Sequence, residues 1–289
     1  MDLLVTSNPK ITPADVARLR ELYGLDQPMY KRYYNWASTI VQGDLGYSRT
    51  YRVPVSELLG PRLLNTFWLS MASLLFSLLI AIPLGIFSAL KPGTKFDYAA
   101  NFLAFGGIAT PSFWLGILLI IIFSVVLGWL PAGGTETTGL EDPSFLAFLL
   151  DRGKYLILPI ISLSLQQIGQ FVRFSRSAMS EAMRNDFVRT ARAKGLSNQT
   201  VIWKHAFRNA LIPLITVVAL SFSTVFSGAV LTETVFSYQG VGKLVYDSII
   251  SNDYNVAMIS FIISVTMVLV MNLVADILYG VADPRISYK

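Results

Sequence analysis

The polar residues that could do chemistry are concentrated between Arg173 and Pro213, in a segment that interrupts an otherwise apolar chain. Its sequence is RFSRSAMSEAMRNDFVRTARAKGLSNQTVIWKHAFRNALIP. Ser180 is predicted to cap a helix that begins there, and a second helical stretch is predicted over Asn185–Lys194. At about 100° per residue, one face of that stretch gathers small and apolar side chains within an arc of about 100°: Phe187, Val188, Ala191 and Gly195.

Binding, not catalysis, is the chemistry that this basic segment favours. A short helix with one aromatic and two very small residues on its apolar face suits insertion into a groove on a partner protein. The alternative interpretation is a solvated basic loop that serves only membrane topology. On the residue pattern alone, the two interpretations remain open.

Residues for catalysis or metal binding are not grouped anywhere in the sequence. The chain has no cysteine and a single histidine, His205, which excludes thiolate nucleophiles and multi-histidine metal sites. The string Gly240-Val241-Gly242-Lys243 lacks the first glycine and the hydroxyl residue of a phosphate-binding loop. Charged residues inside a membrane are functional candidates by default. Glu233 and Asp276 lie near span ends, however, and this position favours hydration or ion pairing at the interface. Intramembrane ionisable residues are also too few for a proton relay. We therefore expect neither an enzyme nor a resident cofactor or metal.

The composition indicates that these residues are carried by a membrane protein. The 289 residues are 53% hydrophobic and 14% charged, with a mean hydropathy of +0.54, whereas soluble domains are about 25% charged. The chain has a net charge of +5, and its basic residues are concentrated beside apolar stretches. It is therefore interpreted as a topology signal from a chain that contacts lipid, not nucleic acid.

Five apolar windows are long enough to cross a hydrocarbon core about 30 Å thick as helices. They predict an all-α polytopic membrane protein with a transmembrane domain over residues 63–283. The predicted spans are residues 64–90, 99–129, 155–177, 209–235 and 255–281.

The distribution of Lys and Arg predicts the orientation. Eight of these residues lie in 173–208 and two more, Lys91 and Lys95, in the loop 91–98. The positive-inside rule places both loops and the C-terminus in the cytoplasm. Residues 1–62 then lie outside, which leads us to expect a further span ahead of them that this chain does not contain.

The segment 1–62 is predicted to hold one short helix, with Thr12 as its N-cap and Gly24 at its C-terminal stop. The string GDLGYS at 43–48 is interpreted as a turn. It serves either as part of a folded extracytoplasmic cap or as a contact to a substrate path. The amphipathic segment 236–254 also has two interpretations, a re-entrant helix or an interfacial cap.

Several strings resemble one family. RTARAKGLS at 189–197 and HAFRNALIP at 205–213 are similar to the cytoplasmic signature of ABC importer permeases, in the form typical of the B-type subunit of the oligopeptide/dipeptide (nickel) family. The strings that support this resemblance elsewhere are ITPADVARLRELYGLDQP at 11–28, GDLGYS at 43–48, ATPSFWLG at 109–116, ETVFSYQGVGKLVYDSI at 233–249 and DPR at 283–285. The family has six spans, so the chain is expected to lack the first.

The resemblance implies a type I ABC importer transmembrane fold in a bacterial inner membrane and half of a translocation pathway for di- or oligopeptides. It implies four kinds of partner: a homologous second permease subunit, two ABC ATPase subunits that carry ATP and Mg, an extracytoplasmic substrate-binding protein and the peptide. Residues 181–208 become a cytoplasmic coupling loop. The residues expected to contact the ATPase are Arg184, Phe187, Val188, Arg189, Ala191, Lys194, Gly195 and Leu196.

A weakly selective path for peptides would be lined by small polar side chains. The span 209–235 offers Ser221, Ser223, Thr224 and Ser227 for that purpose, although such residues also serve close helix packing. The alternative functions are a homo-oligomeric channel, which would need no docking loop, and an importer of nickel complexes, glutathione or oligosaccharides.

Overall fold

The regular structure of the chain is helical, in agreement with the predicted fold class. A computed structural model describes residues 12, 14, 26–139, 144–222 and 230–282, so the helix predicted to start at Thr12 lies almost wholly outside the described residues. The helices are α1 (Met29–Val41), α2 (Val55–Leu90), α3 (Lys95–Ala109), α4 (Ser112–Leu119, continued by a π-helical segment, Ile120–Val126), α5 (Phe145–Arg184), α6 (Asp186–Ala193), α7 (Asn198–Thr200, π-helical Val201–Phe207 and α-helical Arg208–Phe222), α8 (Val230–Val235), α9 (Val241–Ile250) and α10 (Tyr254–Ala282).

The longest helix, α5, packs between α2 and α3 at the centre of the fold. Glycines bring the three backbones together, as small residues do between helices in lipid. A Cβ added at Gly85 of α2 would lie 2.7 Å from the carbonyl oxygen of Val172, and one at Gly107 of α3 would lie 2.6 Å from that of Leu165. These positions therefore require glycine.

The predicted span 99–129 is divided into two helices. The axes of α3 and α4 meet at 100°. The break lies at Thr110 and Pro111, where Thr110 has an extended backbone (φ −84°, ψ 120°). A proline disfavours the helical conformation of the residue before it, which accounts for the break. The predicted span 99–129 therefore corresponds to a bent pair of helices.

Among the described residues, three helices are long and apolar enough to cross a membrane, namely Val55–Leu90, Asn198–Ser221 and Tyr254–Ile277. The bent pair α3–α4 makes a fourth if both halves belong to one crossing. The predicted span 155–177 lies inside α5. Of the predicted span 209–235, the structure describes the helical residues up to Phe222 and those of α8.

The segment that includes GDLGYS packs on the turn before α10. The hydroxyl of Ser48 donates to Asp253 Oδ2 at 2.6 Å, and the Thr50 backbone N–H donates to the same oxygen at 3.0 Å. The Asn255 amide donates to the Leu45 carbonyl at 3.2 Å. Ser48 and Asp253 are both buried. Of the two interpretations of this turn, the contacts fit a folded cap.

Candidate functional site

The basic segment forms a sharp corner between two helices. Asn185 alone separates α5 from α6, and its extended backbone (φ −71°, ψ 154°) makes the turn. The first turn of α6 carries Asp186, which pairs with Arg189 at 3.3 Å on the surface. Ser180 lies inside α5, so the prediction that it caps a new helix is wrong. The apolar face of α5 continues past it to the buried Ala182, and the helix has no reason to end earlier.

Gly195 ends α6 in a left-handed conformation with φ +73°. Its N–H donates to the Arg192 carbonyl at 3.0 Å, and the Leu196 N–H donates to the Ala191 carbonyl at 3.4 Å. This pair of hydrogen bonds is the Schellman motif, which usually needs glycine at its left-handed position. Gly195 therefore fixes the direction in which the chain leaves α6.

The apolar face of α6 is covered by the chain itself. Val188 is 0% exposed and Ala191 4% exposed, and Phe187 packs beside them, half-buried. They belong to one cluster with residues of three other helices: Ile86, Ala89, Met179, Ala182, Val201, Ala206 and Ala210. We call this set, with Val188 and Ala191, the corner cluster. The expectation that Val188 and Ala191 enter a partner's groove is therefore contradicted, because their side chains are inaccessible in this fold.

The opposite face of α6 and the turn after it are exposed and basic. Of the predicted contact residues, Arg184, Arg189, Lys194, Gly195 and Leu196 lie on this surface, with Leu196 40% exposed. The structure adds Trp203, which is 47% exposed and packs edge-on against Phe207 with ring centroids 5.5 Å apart. The signal for Trp203 was present in the sequence, as a large aromatic residue inside a basic loop.

A cleft of about 870 Å³ opens beside the same corner. It is lined from α5 by Gln170, Arg173, Ser177 and Arg184, residues spaced along one side of the helix. Arg176 of this wall pairs with the buried Asp97 of α3 at 2.8 Å, and Ser88 of α2 also donates to Asp97. This polar stripe was not predicted, although Gln170, Arg173 and Ser177 are three and four residues apart within the predicted span 155–177.

The residues predicted to line a path in span 209–235 are only partly described. Ser221 is half-buried and its hydroxyl donates to the Val217 carbonyl at 2.8 Å, within its own helix. Ser223, Thr224 and Ser227 lie outside the described residues. The structure therefore leaves this expectation as a prediction.

Glu233 has a different position from the one predicted. It is fully buried. Its Oε1 accepts a hydrogen bond from the Thr66 hydroxyl at 2.7 Å, and its Oε2 accepts one from the Lys243 backbone N–H at 2.9 Å. The interpretation as a hydrated or ion-paired interfacial charge is therefore wrong, because protein donors have replaced water. Asp276, by contrast, is exposed.

Comparison with known proteins agrees with this helical arrangement. Residues 81–288 match the family described as binding-protein-dependent transport system inner membrane component. The chain belongs to this family. It is 44% identical over 282 residues to the oligopeptide transport system permease protein AppB of Bacillus subtilis, covering 97% of this chain and 88% of AppB. It is 37% identical to the dipeptide transport system permease protein DppB of Escherichia coli K12 (99% and 89%). It is 35% identical to the glutathione transport system permease protein GsiC of Salmonella typhi (98% and 88%).

Solved structures with the same fold are ABC transporters. A chain of the inward-facing methionine ABC transporter MetNI superposes with a TM-score of 0.60 at 17% identity, covering 79% of this chain and 97% of that one. A chain of an amino acid ABC transporter solved with histidines gives 0.57 at 13% identity (80% and 95%). The fold is therefore that of the type I ABC importer transmembrane subunits, in a multi-pass membrane protein.

Proposed function

We propose that this chain is a permease subunit of an ATP-driven importer and forms half of its pathway for di- or oligopeptides. The observation that carries the proposal is the construction of α6: one face is locked onto α2, α5 and α7, and the other is exposed and basic. Such an element passes a displacement from a soluble partner into membrane helices. The oligopeptide and dipeptide permeases among the relatives support the substrate class.

The partners follow from this function. ATP and Mg would be held by two ATPase subunits that dock on the exposed side of α6, because this chain offers no nucleotide motif of its own. A homologous second permease would complete the pathway, and an extracytoplasmic binding protein would deliver the peptide. The α6 corner would then face the cytoplasm, as the Lys and Arg count also favours.

Within the corner, the eight predicted contact residues divide into two roles. Arg184, Arg189, Lys194 and Leu196 would meet the ATPase, with Trp203 as an aromatic anchor, since Trp and Arg dominate binding energy at interfaces. Phe187, Val188 and Ala191 would hold α6 to the membrane helices. Gly195 would join the two roles by setting the path of the chain between them.

Movement of α6 would drive alternating access. Its buried face touches the ends of α2, α5 and α7 in the corner cluster, and interiors packed at crystal-like density transmit displacement. A pull on α6 would therefore tilt these three helices together. The polar cleft beside Gln170 and Arg173 would offer hydrogen bonds to a peptide's termini and amides, in addition to the predicted Ser221, Ser223, Thr224 and Ser227.

Glutathione is a second candidate substrate because the glutathione permease GsiC aligns with 98% of this chain. It is itself a short peptide, so a polar path that accepts variable side chains would accommodate it. Competition for uptake between glutathione and alanine peptides of two to five residues, in the assembled transporter, distinguishes the two candidates.

The docking role of the corner is tested with Gly195→Arg. The left-handed φ of +73° disfavours a side chain by about 1 kcal/mol or more, and the arginine would place bulk at the docking surface. We expect uptake and transport-coupled ATPase stimulation to be lost while membrane insertion stays normal. Gly93→Arg is the matched control, because Gly93 has the same φ of +73° and open space around it but lies in the other loop. Normal uptake in Gly195→Arg, or equal loss in both variants, would refute the docking model.

A further inference from the structure

Two side chains link the short helix α9 to α2 by hydrogen bonds, beside a buried apolar cluster that both helices share. The Thr66 hydroxyl donates to Glu233 Oε1 at 2.7 Å, and Thr66 Oγ1 accepts from the Val241 backbone N–H at 2.8 Å. Glu233 Oε2 accepts from the Lys243 N–H at 2.9 Å. We call this arrangement the α9 clasp. It satisfies backbone donors in the first turn of α9 that the helix itself leaves unpaired.

The glycines around the clasp allow the carboxylate to reach the backbone. A Cβ added at Gly242 would lie 3.0 Å from Glu233 Oε2, and one at Gly240 would come closer still to the same carboxyl group. Side chains at 240 and 242 would therefore displace Glu233. The sequence ETVFSYQGVGK thus encodes a carboxylate and the space in which it caps the next helix.

The other end of α2 lies in the corner cluster. Ile86 and Ala89 pack there against Val188 and Ala191 of α6. Thr66 and Ile86 are about 20 residues apart on α2, which corresponds to about 30 Å of helix. One continuous helix therefore contacts the proposed ATPase-docking element at one end and α9 at the other.

We propose that Thr66 and Glu233 are positioning residues for transport: they fasten α9 to α2, so that a displacement of α6 reaches α9 through α2. This inference rests on the proposed function. It assigns α9 to the moving part of the permease, on the side away from the ATPase. In the alternative, α9 belongs to a fixed cap with the Asp253 turn at its C-terminal end and does not follow the displacement of α2.

The clasp can be tested because the chain contains no cysteine. A single reporter, Tyr246→Cys, is placed on α9, where the native side chain is 45% exposed. The transporter is assembled in proteoliposomes with cysteine-free partner subunits and its binding protein. Maleimide labelling of the reporter is measured without nucleotide and after trapping with ATP and vanadate. Uptake of radiolabelled trialanine and ATP hydrolysis are measured on the same samples.

The deciding variant is Thr66→Val, which keeps the shape of the side chain and removes its hydroxyl. We expect the nucleotide-dependent change in labelling to disappear and uptake per ATP hydrolysed to fall about tenfold, equivalent to about 1.4 kcal/mol. Thr66→Ser restores the hydroxyl and should restore both. Ser73→Ala is the matched control, because it also removes a buried hydroxyl from α2, but one bonded only to the Leu69 carbonyl of the same helix.

A second variant covers the case in which Thr66→Val does not assemble. Glu233→Gln keeps the size of the side chain and one acceptor oxygen, so it should lose part of the coupling. Wild-type labelling changes and wild-type uptake ratios in whichever of the two variants assembles would overturn the inference. Failure of the proposed function would look different, because the wild-type transporter itself would then fail to import trialanine.

Discussion

The two ends of α2 are attached to their neighbours by different kinds of contact. At its C-terminal end, Ile86 and Ala89 meet the corner cluster through aliphatic and small side chains. Nearer its N-terminal end, α2 shares a buried apolar cluster with α9, and Asn65 and Thr66 add hydrogen bonds to residues more than 160 positions away. Apolar packing has no preferred direction, whereas hydrogen bonds weaken steeply when misaligned. The first attachment therefore transmits displacement through close packing that allows small adjustments between side chains, whereas the hydrogen-bonded part of the second keeps its geometry or breaks.

This difference fits a corner cluster that receives the movement of α6 and an α9 clasp that is carried along by α2. The corner can accommodate a tilt of α6 by small shifts between methyl groups. The clasp can only move as a unit with α2. The following predictions test each attachment separately, and they are ordered from the largest expected effect to the smallest.

Val188→Asp attacks the apolar attachment. It would place a charge among the aliphatic side chains of the corner cluster, and burial of such a charge costs more than about 4 kcal/mol. We expect α6 to detach, uptake to disappear, and trypsin to cleave at Arg192 or Lys194 in inside-out vesicles. The control is Thr190→Asp, which adds the same charge on the exposed face of α6 and should leave these sites protected. Equal cleavage of both variants would show that the cluster does not hold α6.

Gly85→Ala acts on α2 between the two attachments. The added Cβ would lie 2.7 Å from the Val172 carbonyl oxygen and 2.9 Å from the Arg176 nitrogen, so α2 and α5 must separate. Overpacking of this kind costs about 1–3 kcal/mol. Heating in detergent should therefore unfold the variant at a lower temperature than the wild type. Gly60→Ala on the same helix has open space and should leave the unfolding temperature unchanged or raise it, because alanine favours helix.

The smallest effect on structure is expected from the loss of the Asp253 contact, next to the C-terminal end of α9. Burial raises its pKa, but hydrogen bonds from Ser48 and Thr50 outweigh burial and leave the pKa below its ordinary value. The contact therefore contributes stability above about pH 3.9 and loses it as the pH falls toward the lower folded pKa. Relative to the labelling rate of a free thiol at the same pH, a Tyr51→Cys reporter at a half-buried position beside this contact should be labelled faster in acid. Asp253→Asn should remove that pH dependence, whereas Asp151→Asn, at an exposed carboxylate bonded to Thr137, should leave it intact.

The sequence predicted those features that depend on neighbouring residues. The basic loop, its helix and the glycine that ends it are local patterns, and so is the proline that breaks α3 from α4, although its effect was overlooked. Helix phasing correctly grouped Phe187, Val188 and Ala191 on one face. It could not tell that α2, α5 and α7 cover this face, because that depends on how distant segments pack.

Glu233 illustrates the same limit more strongly. Its donors come from Thr66 on α2 and from the backbone of α9. A sequence shows a carboxylate near the end of an apolar window, but it does not show whether the partner of that carboxylate is water, a cation or a helix terminus. Only the two glycines that follow at 240 and 242 hinted that another backbone approaches closely.

The length of α5 has a consequence for the protein's outline. Its 40 residues extend about 60 Å, about twice the thickness of a bilayer's hydrocarbon core. If α5 stands upright, much of it must project beyond the lipid, and Arg173, Arg176 and Arg184 lie along its C-terminal part. The C-terminal part of α5 would then hold the corner beyond the lipid headgroups. A large soluble ATPase subunit could bind the corner there without contacting the membrane. A small tilt of α5 at the bilayer centre would then produce a larger displacement at the corner.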